Sequence, residues 1–416
     1  MAGAATAGFL ARAGFRVVVL DHAVFPRWKA CGEGLLPHGV AVLDRLGVSV
    51  PGVAPLCGIR FRVGGAAAWL PFPRGRGLAV SRYVLDQAIR ARASVLGAEF
   101  VRARAARVEP GLVHTDRGEF RAPVVIGADG VRSMVRRTLG IGARYRLDRV
   151  GFSTHWEGAL REPGVVDVTA FPGGEVYVAP LGEPGSETVF LGFPGEGGPV
   201  GSPEKGDPID SSRRADSAGT IAPGLALTAL LVDRRLGLSR GTVEAFLRER
   251  FASRFGSARR AGPVLGAFPL GSRVDRVSGP GWLLVGDAAG MVDPISGEGM
   301  SLALRGAELA AEAVADALGD ASAHGAADTR ADAGRDPAAD AAGNAPGVLR
   351  SMDAFRDYAT RLRRLRRPIE RVTKAMLFLS RHPGLARVAL SRDERLAPLM
   401  RVATGEPGLL TRIAGW

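Results

Sequence analysis

Trp282-Leu-Leu-Val-Gly286-Asp287-Ala-Ala-Gly290-Met-Val-Asp293-Pro294-Ile-Ser-Gly297-Glu298-Gly299-Met300 decides the fold class. Leu283, Leu284 and Val285 form the short apolar run of a strand buried on both faces, as in a parallel sheet. Gly286-Asp287 follows where such a strand leaves the sheet, the edge at which open α/β sheets bind ligands. Asp287 then either caps the next turn or presents its carboxylate to a ligand. Gly297 and Gly299 flank Glu298 and let backbone approach a ligand before a helix starting near Met300, whose first amides favour negative charge.

Upstream, Val124-Val125-Ile126-Gly127-Ala128-Asp129-Gly130-Val131-Arg132-Ser133 repeats the design, an apolar strand ending in Gly-x-Asp-Gly before a short helix. At the N-terminus, residues 1–14 have helical spacing and end at Gly14, and residues 15–20 read as a buried strand closed by Asp21. Helix, glycine, strand and acid make the second half of a dinucleotide-binding βαβ unit, in which the acid takes the ribose hydroxyls of an adenosine. By spacing Gly3 is the third glycine of a Gly-x-Gly-x-x-Gly loop, so the first strand and the first two glycines are expected to precede residue 1.

Both fingerprints, in this order, resemble those of the FAD-dependent family of aromatic hydroxylases, flavin halogenases and geranylgeranyl reductases. The Gly-Asp-Ala-Ala-Gly…Asp-Pro…Ser-Gly-Glu-Gly-Met form is nearest the geranylgeranyl reductase-like branch. The resemblance implies bound FAD, with Asp287 after Gly286 on the ribityl chain, the helix start at Gly297, Gly299 and Met300 facing the pyrimidine edge of the isoalloxazine, and Asp129 with Gly130 holding the cofactor. Residues 25–37 are a loop by their Pro and Gly content. Within it Arg27-Trp28-Lys29-Ala30-Cys31-Gly32 resembles the Lys-x-Cys-Gly segment of the reductase-like branch, which implies Cys31 and Gly32 beside the ring and Arg27 near the FAD phosphates. Arg82 opens a predicted helix, and in the family the matching Arg often reaches toward the flavin cavity. NAD(P)H is the implied electron donor, with other donors open.

Residues 146–275 alternate as strands (166–171, 175–181, 187–193) between Gly/Pro turns, the pattern of an antiparallel sheet, and the family places its substrate roof there. Tyr177 is either a cavity wall or a sheet residue. No catalytic acid stands out in this region, and His155 reads as structural. Residues 39–47 form a short helix, residues 59–70 a hairpin broken at Gly64-Gly65, and residues 198–222 a polar Gly/Pro-rich insertion.

With 416 residues and 46% apolar content the chain can bury a core in two or three lobes. The net charge of +13 is carried almost entirely by Arg, Lys occurring only at 29, 205 and 374, a bias that fits a GC-rich genome as well as a basic surface. Two cysteines suit a reducing compartment, with cytoplasm the default, and no apolar run is long enough to span a bilayer. No zinc spacing, nucleophile elbow or phosphate-binding Walker loop is present, and nothing points to nucleic acid. Residues 319–347 are Ala, Asp and Gly with little that could enter a core, a disordered linker by composition. Beyond it a helical region sets a basic face beside an apolar one, which either packs on its own protein or rests peripherally on a membrane.

The expected architecture is α/β: a discontinuous Rossmann-like FAD domain of the glutathione-reductase type lacking its N-terminal strand (1–60, 78–145, 265–318), an antiparallel substrate domain (61–77, 146–264), the linker (319–347) and a C-terminal helical region (348–416). The expected function is an FAD-dependent oxidoreductase acting on an apolar isoprenoid or aromatic, polyketide-like small molecule. Two alternatives stand beside it: a monooxygenase sharing both fingerprints, and a truncated remnant with impaired FAD binding.

Overall fold

Strand Trp282–Leu284 lies buried beside Val125–Gly127 in parallel register, with Val125 opposite Trp282 and Gly127 opposite Leu284. Both strands therefore run out at one edge, and Asp129 and Asp287 emerge there together. The computed structural model that shows this describes residues 1–181, 222–319 and 346–390. A second parallel pair, Val18–Asp21 with Glu99–Arg102, brings Asp21 to the end of its own strand. That strand starts at Val18, not at residue 15. Gly14, at φ 87°, and Phe15 are spent in the turn that closes helix Ala2–Arg12, their amides bonding the carbonyls of Ala11 and Leu10.

Helix Ala2–Arg12 packs against Arg82–Val95 and Gly299–Leu318, and small residues permit the close approach. A Cβ on Gly3 would sit 2.9 Å from that of Ala128, and one on Gly8 would sit 3.1 Å from Leu46. Helix Gly299–Leu318 buries an alanine-rich face (Ala303, Ala307, Ala310, Ala311, Ala313, Ala317) with Leu304 and Val314 in one large core. The helix expected over 39–47 runs from Pro37 to Leu46 and ends at Gly47 in the left-handed conformation.

The second core lies on an eight-stranded sheet. Its long strands are Arg149–Arg161 and Ala222–Asp233, followed by Gly174–Pro180, Val165–Phe171, Gly58–Val63 and Ala66–Pro71. The sheet is mixed rather than antiparallel, because Val165–Phe171 runs parallel to Gly58–Val63. These two strands belong to distant stretches of chain, so no hairpin dictates their direction, and the crossover between them passes through the first core. Strand Gly58–Val63 also begins before residue 61, within the stretch expected to be cofactor-binding. The strand expected at 187–193 and most of the 198–222 insertion lie outside the described residues, as do 320–345 of the linker and 391–416 of the C-terminal region.

Helix Pro346–Arg381, followed by Pro383–Leu390, carries apolar residues at 355, 358, 362, 369, 372 and 377, and all are buried. This one face fits the helix to its own protein. Tyr358 Oη donates to the Leu284 carbonyl at 2.6 Å, and Ser278 Oγ donates to that of Phe355 at 2.8 Å, tying the helix to the strand that feeds the cofactor-type loop. Among the described residues no helix is long and apolar enough to cross a membrane. Tyr358→Phe removes one buried hydrogen bond and should lower stability by about 1 kcal/mol, read as a shifted urea midpoint at unchanged slope.

Candidate functional site

A cavity of 1950 Å³ lies between the two parallel strand pairs, the large sheet and the C-terminal helices. The residues singled out from the sequence all line it: Gly3, Asp21, Arg27, Cys31, Gly32, Arg82, Asp129, Gly130, Tyr177, Gly286, Asp287, Gly297, Gly299 and Met300. They are not equally free to meet a ligand. Asp129 Oδ2 already accepts from the amides of Met134 and Val135, at 2.6 and 3.0 Å, and so caps a helix. Asp21 Oδ1 accepts from the Ala23 amide at 2.9 Å, which orders the turn after its strand. Asp287 accepts no side-chain-specific hydrogen bond among the described residues and lies half-buried on the wall.

Gly286, at φ 59°, turns the chain out of its strand in a conformation costly for other residues. Its loop is held from behind, Arg366 Nη1 donating to the carbonyls of Ala289 and Gly290 at 2.8 and 2.9 Å. Beyond the loop the cavity wall opens, and a Cβ built on Gly297, Gly299 or Gly130 would meet nothing within 4 Å. In the same lining Arg27 Nε is buried without a partner, and Lys29 makes no hydrogen bond among the described residues. Burial, then the charge of Arg82, lowers the Lys29 pKa. Bare backbone and unpaired cations in one lining fit a long anionic cofactor such as FAD.

The loop holding Cys31 is built from below. The Cys31 amide donates to Ser153 Oγ at 3.3 Å, and its Sγ accepts from the Glu33 amide at 3.4 Å. Glu33 is buried at φ 51° because its carboxylate is fully engaged: Oε1 accepts from the Arg82 amide at 2.8 Å and Oε2 meets His155 Nε2 at 2.8 Å. His155 thus has a structural place under the loop, with Trp28 packed on its ring. Arg82 is buried and bidentate on Asp86, at 3.0 and 2.7 Å. Burial opposes its charge, but Asp86 and Cys31 outweigh burial and keep it protonated.

A buried, ion-paired acid stands in the sheet region. Arg149 donates to Asp293 at 2.8 Å and to Glu175, and all three are buried. One guanidinium faces two carboxylates. Burial, with Asp293 competing for the same cation, pushes the Glu175 carboxyl up to about 7. Next to it Tyr177 Oη donates to the Ile295 carbonyl at 3.0 Å, so the sheet grips the 293–299 loop twice. Tyr177 is therefore a cavity wall as well as a sheet residue. Asp293 was within view in the Asp-Pro pair, whereas Arg149 and Glu175 look like ordinary strand charges until the sheet pairs them. Glu298, buried between Gly297 and Gly299, meets His38 Nε2 at 2.9 Å, and burial raises its pKa.

Around Tyr177 the cavity lining forms an apolar arm. Ile59, Phe61, Leu70, Val166 and Val168 of the sheet form one wall, and Met376, Leu379 and Ala386 of the C-terminal helices the other. Sequence periodicity had shown those helical residues to be apolar without showing that they meet a site.

No protein-family model matches the chain. The menaquinone reductase of Mycolicibacterium smegmatis is 32% identical over 335 residues, covering 74% of this chain and 73% of the relative. A digeranylgeranylglycerophospholipid reductase of Methanopyrus kandleri is 29% identical over 336 residues, 73% of this chain and 72% of the relative. Among solved structures, a flavin-dependent brominase superposes with a TM-score of 0.68 at 16% identity, over 97% of this chain and 91% of the brominase, a likeness of fold.

Two outcomes follow for the buried triad. Arg149→Met leaves Glu175 buried without a counterion and Asp293 with only Arg146 at 3.8 Å, and should cost about 3–5 kcal/mol in urea unfolding. Because the folded-state pKa of Glu175 lies above its ordinary 4.5, the folded protein holds the extra proton between about pH 4.5 and 7. Its contribution to stability therefore falls as pH rises through that window and is level above it. Glu175→Gln should remove that part of the slope in urea midpoints measured from pH 4.5 to 8.

Proposed function

Because the chain belongs to the FAD-dependent oxidoreductase family that includes the menaquinone and digeranylgeranylglycerophospholipid reductases, we propose that it reduces a carbon–carbon double bond of an apolar, isoprenoid-bearing small molecule. The observation that carries this reading is the apolar arm of the cavity lining around Tyr177, which suits a prenyl-type tail whose reacting end lies by the 297–300 helix start. When bound, FAD supplies the hydride equivalent, received beforehand from NAD(P)H or another donor. In this reading residues 1–60, 78–145 and 265–318 hold the cofactor, while 61–77 and 146–264 roof the substrate.

The chain's own part is orientation and exclusion of water. Asp21 takes ribose hydroxyls, Arg27 and Lys29 neutralise phosphate charge, and Asp287 binds the ribityl chain. The amides at Gly299 and Met300 stabilise negative charge at the pyrimidine edge of the ring. Cys31 and Gly32, fixed through Ser153 and Glu33, form the wall facing the reacting carbon. The sheet and the C-terminal helices keep the tail dry.

A second reading, hydroxylation with O₂, draws on the Asp129-Gly130 fingerprint common to hydroxylases. One anaerobic experiment separates the two. Protein loaded with FAD and reduced by dithionite should be reoxidised by a menaquinone, with a saturated product found by mass spectrometry. Reoxidation only on admitting O₂, with one oxygen atom in the product, would overturn the reductase reading. Asp287→Ala loses a charge-assisted hydrogen bond to FAD and should raise the FAD Kd by roughly 10–100-fold, followed by quenching of flavin fluorescence.

A further inference from the structure

The outward face of the C-terminal helices differs in character from the inward one. Arg363, Arg364, Arg367, Arg371 and Lys374 succeed one another at helical spacing along Pro346–Arg381, and all are exposed. Among the described residues none of the five meets a carboxylate. From residue 363 to 390 the only acid is Glu370, which faces Arg366 instead. Isolated cations on a surface are ordinary, but five unpaired in one row are an electrostatic stripe aimed at an anionic partner.

The stripe runs into an apolar tip. Phe378 and Leu385 are each 53% exposed, and the ring of His382 stacks on Phe378 at 4.3 Å. On the other side of these same turns Met376, Leu379 and Ala386 line the apolar arm of the cavity. A cationic row beside protruding aromatic and aliphatic side chains is the pattern of a helix lying in the interface of a bilayer. A nucleic acid would be met by the cations but has no use for the tip.

We propose that this face docks the protein on a membrane of anionic phospholipids, with the basic row on the headgroups and Phe378 and Leu385 in the acyl boundary. The arm then lies one helix thickness from the lipid that carries an isoprenoid substrate. The substrate's identity rests on the reductase reading above, whereas the docking does not.

The test is sedimentation of the FAD-loaded full chain with vesicles of phosphatidylglycerol and phosphatidylcholine, set against phosphatidylcholine alone. Binding should appear only with the anionic lipid and weaken with added salt. The triple variant R367E/R371E/K374E should lower the affinity by roughly 100-fold or more, and F378S/L385S should lower it while leaving the salt dependence in place. Both variants should keep wild-type flavin absorbance and wild-type turnover of a short-chain quinone carrying a single prenyl unit, which checks their folding. Failure of the wild type to sediment with anionic vesicles, or undiminished sedimentation of the triple variant, overturns the proposal. Vesicle binding without any quinone turnover overturns the reductase reading and leaves the docking intact.

Discussion

A single guanidinium, that of Arg149, holds the two halves of this protein in register. It sits away from water between Glu175 of the large sheet and Asp293 of the cofactor-type loop. Removing a cation from water is costly, and the cost is offset here only because two carboxylates meet it with good geometry. The loop it holds runs directly into the Gly299–Leu318 helix, so the direction of that helix start is set from the sheet as much as from the parallel strands. Tyr177, one step along the same strand face from Glu175, adds a neutral hydrogen bond to the same loop. The cofactor wall and the roof over it are thus one mechanical unit.

Much of this was legible in local pattern. The Gly286-Asp287 and Asp129-Gly130 turns, the strand ending at Asp21 and the 82–95 helix each express a preference confined to a few neighbouring residues. What was not legible involves partners far apart in the chain. Arg149, Glu175 and Asp293 are unremarkable singly and acquire a role only when strand pairing stacks them. The parallel pairing of Val165–Phe171 with Gly58–Val63 is likewise silent in sequence, since alternation marks a strand but not its direction. The 15–20 strand was placed early because Phe15 and Val17 are apolar, yet the geometry of the preceding helix end had first claim on Phe15.

The C-terminal helix was readable as amphipathic, and its two faces turn out to have separate tasks. Its buried side begins at the Leu284 carbonyl through Tyr358, continues at the Gly286–Ala289 turn through Arg366 and finishes in the apolar arm with Met376 and Leu379. One helix therefore touches both the cofactor-type loop and the apolar arm of the cavity. Any change in the helix's position is felt at both.

The loop carbonyls of Ala289 and Gly290 find their donor in Arg366, a residue synthesised long after them. A growing chain on the ribosome can pair its early strands and close its first helices, since domains generally fold as they emerge. The 286–290 turn stays without its backing until the C-terminal helix has left the exit tunnel. Biogenesis thus orders the events: the apolar arm and the backing of the 286–290 turn are completed together, once the C-terminal helix has emerged.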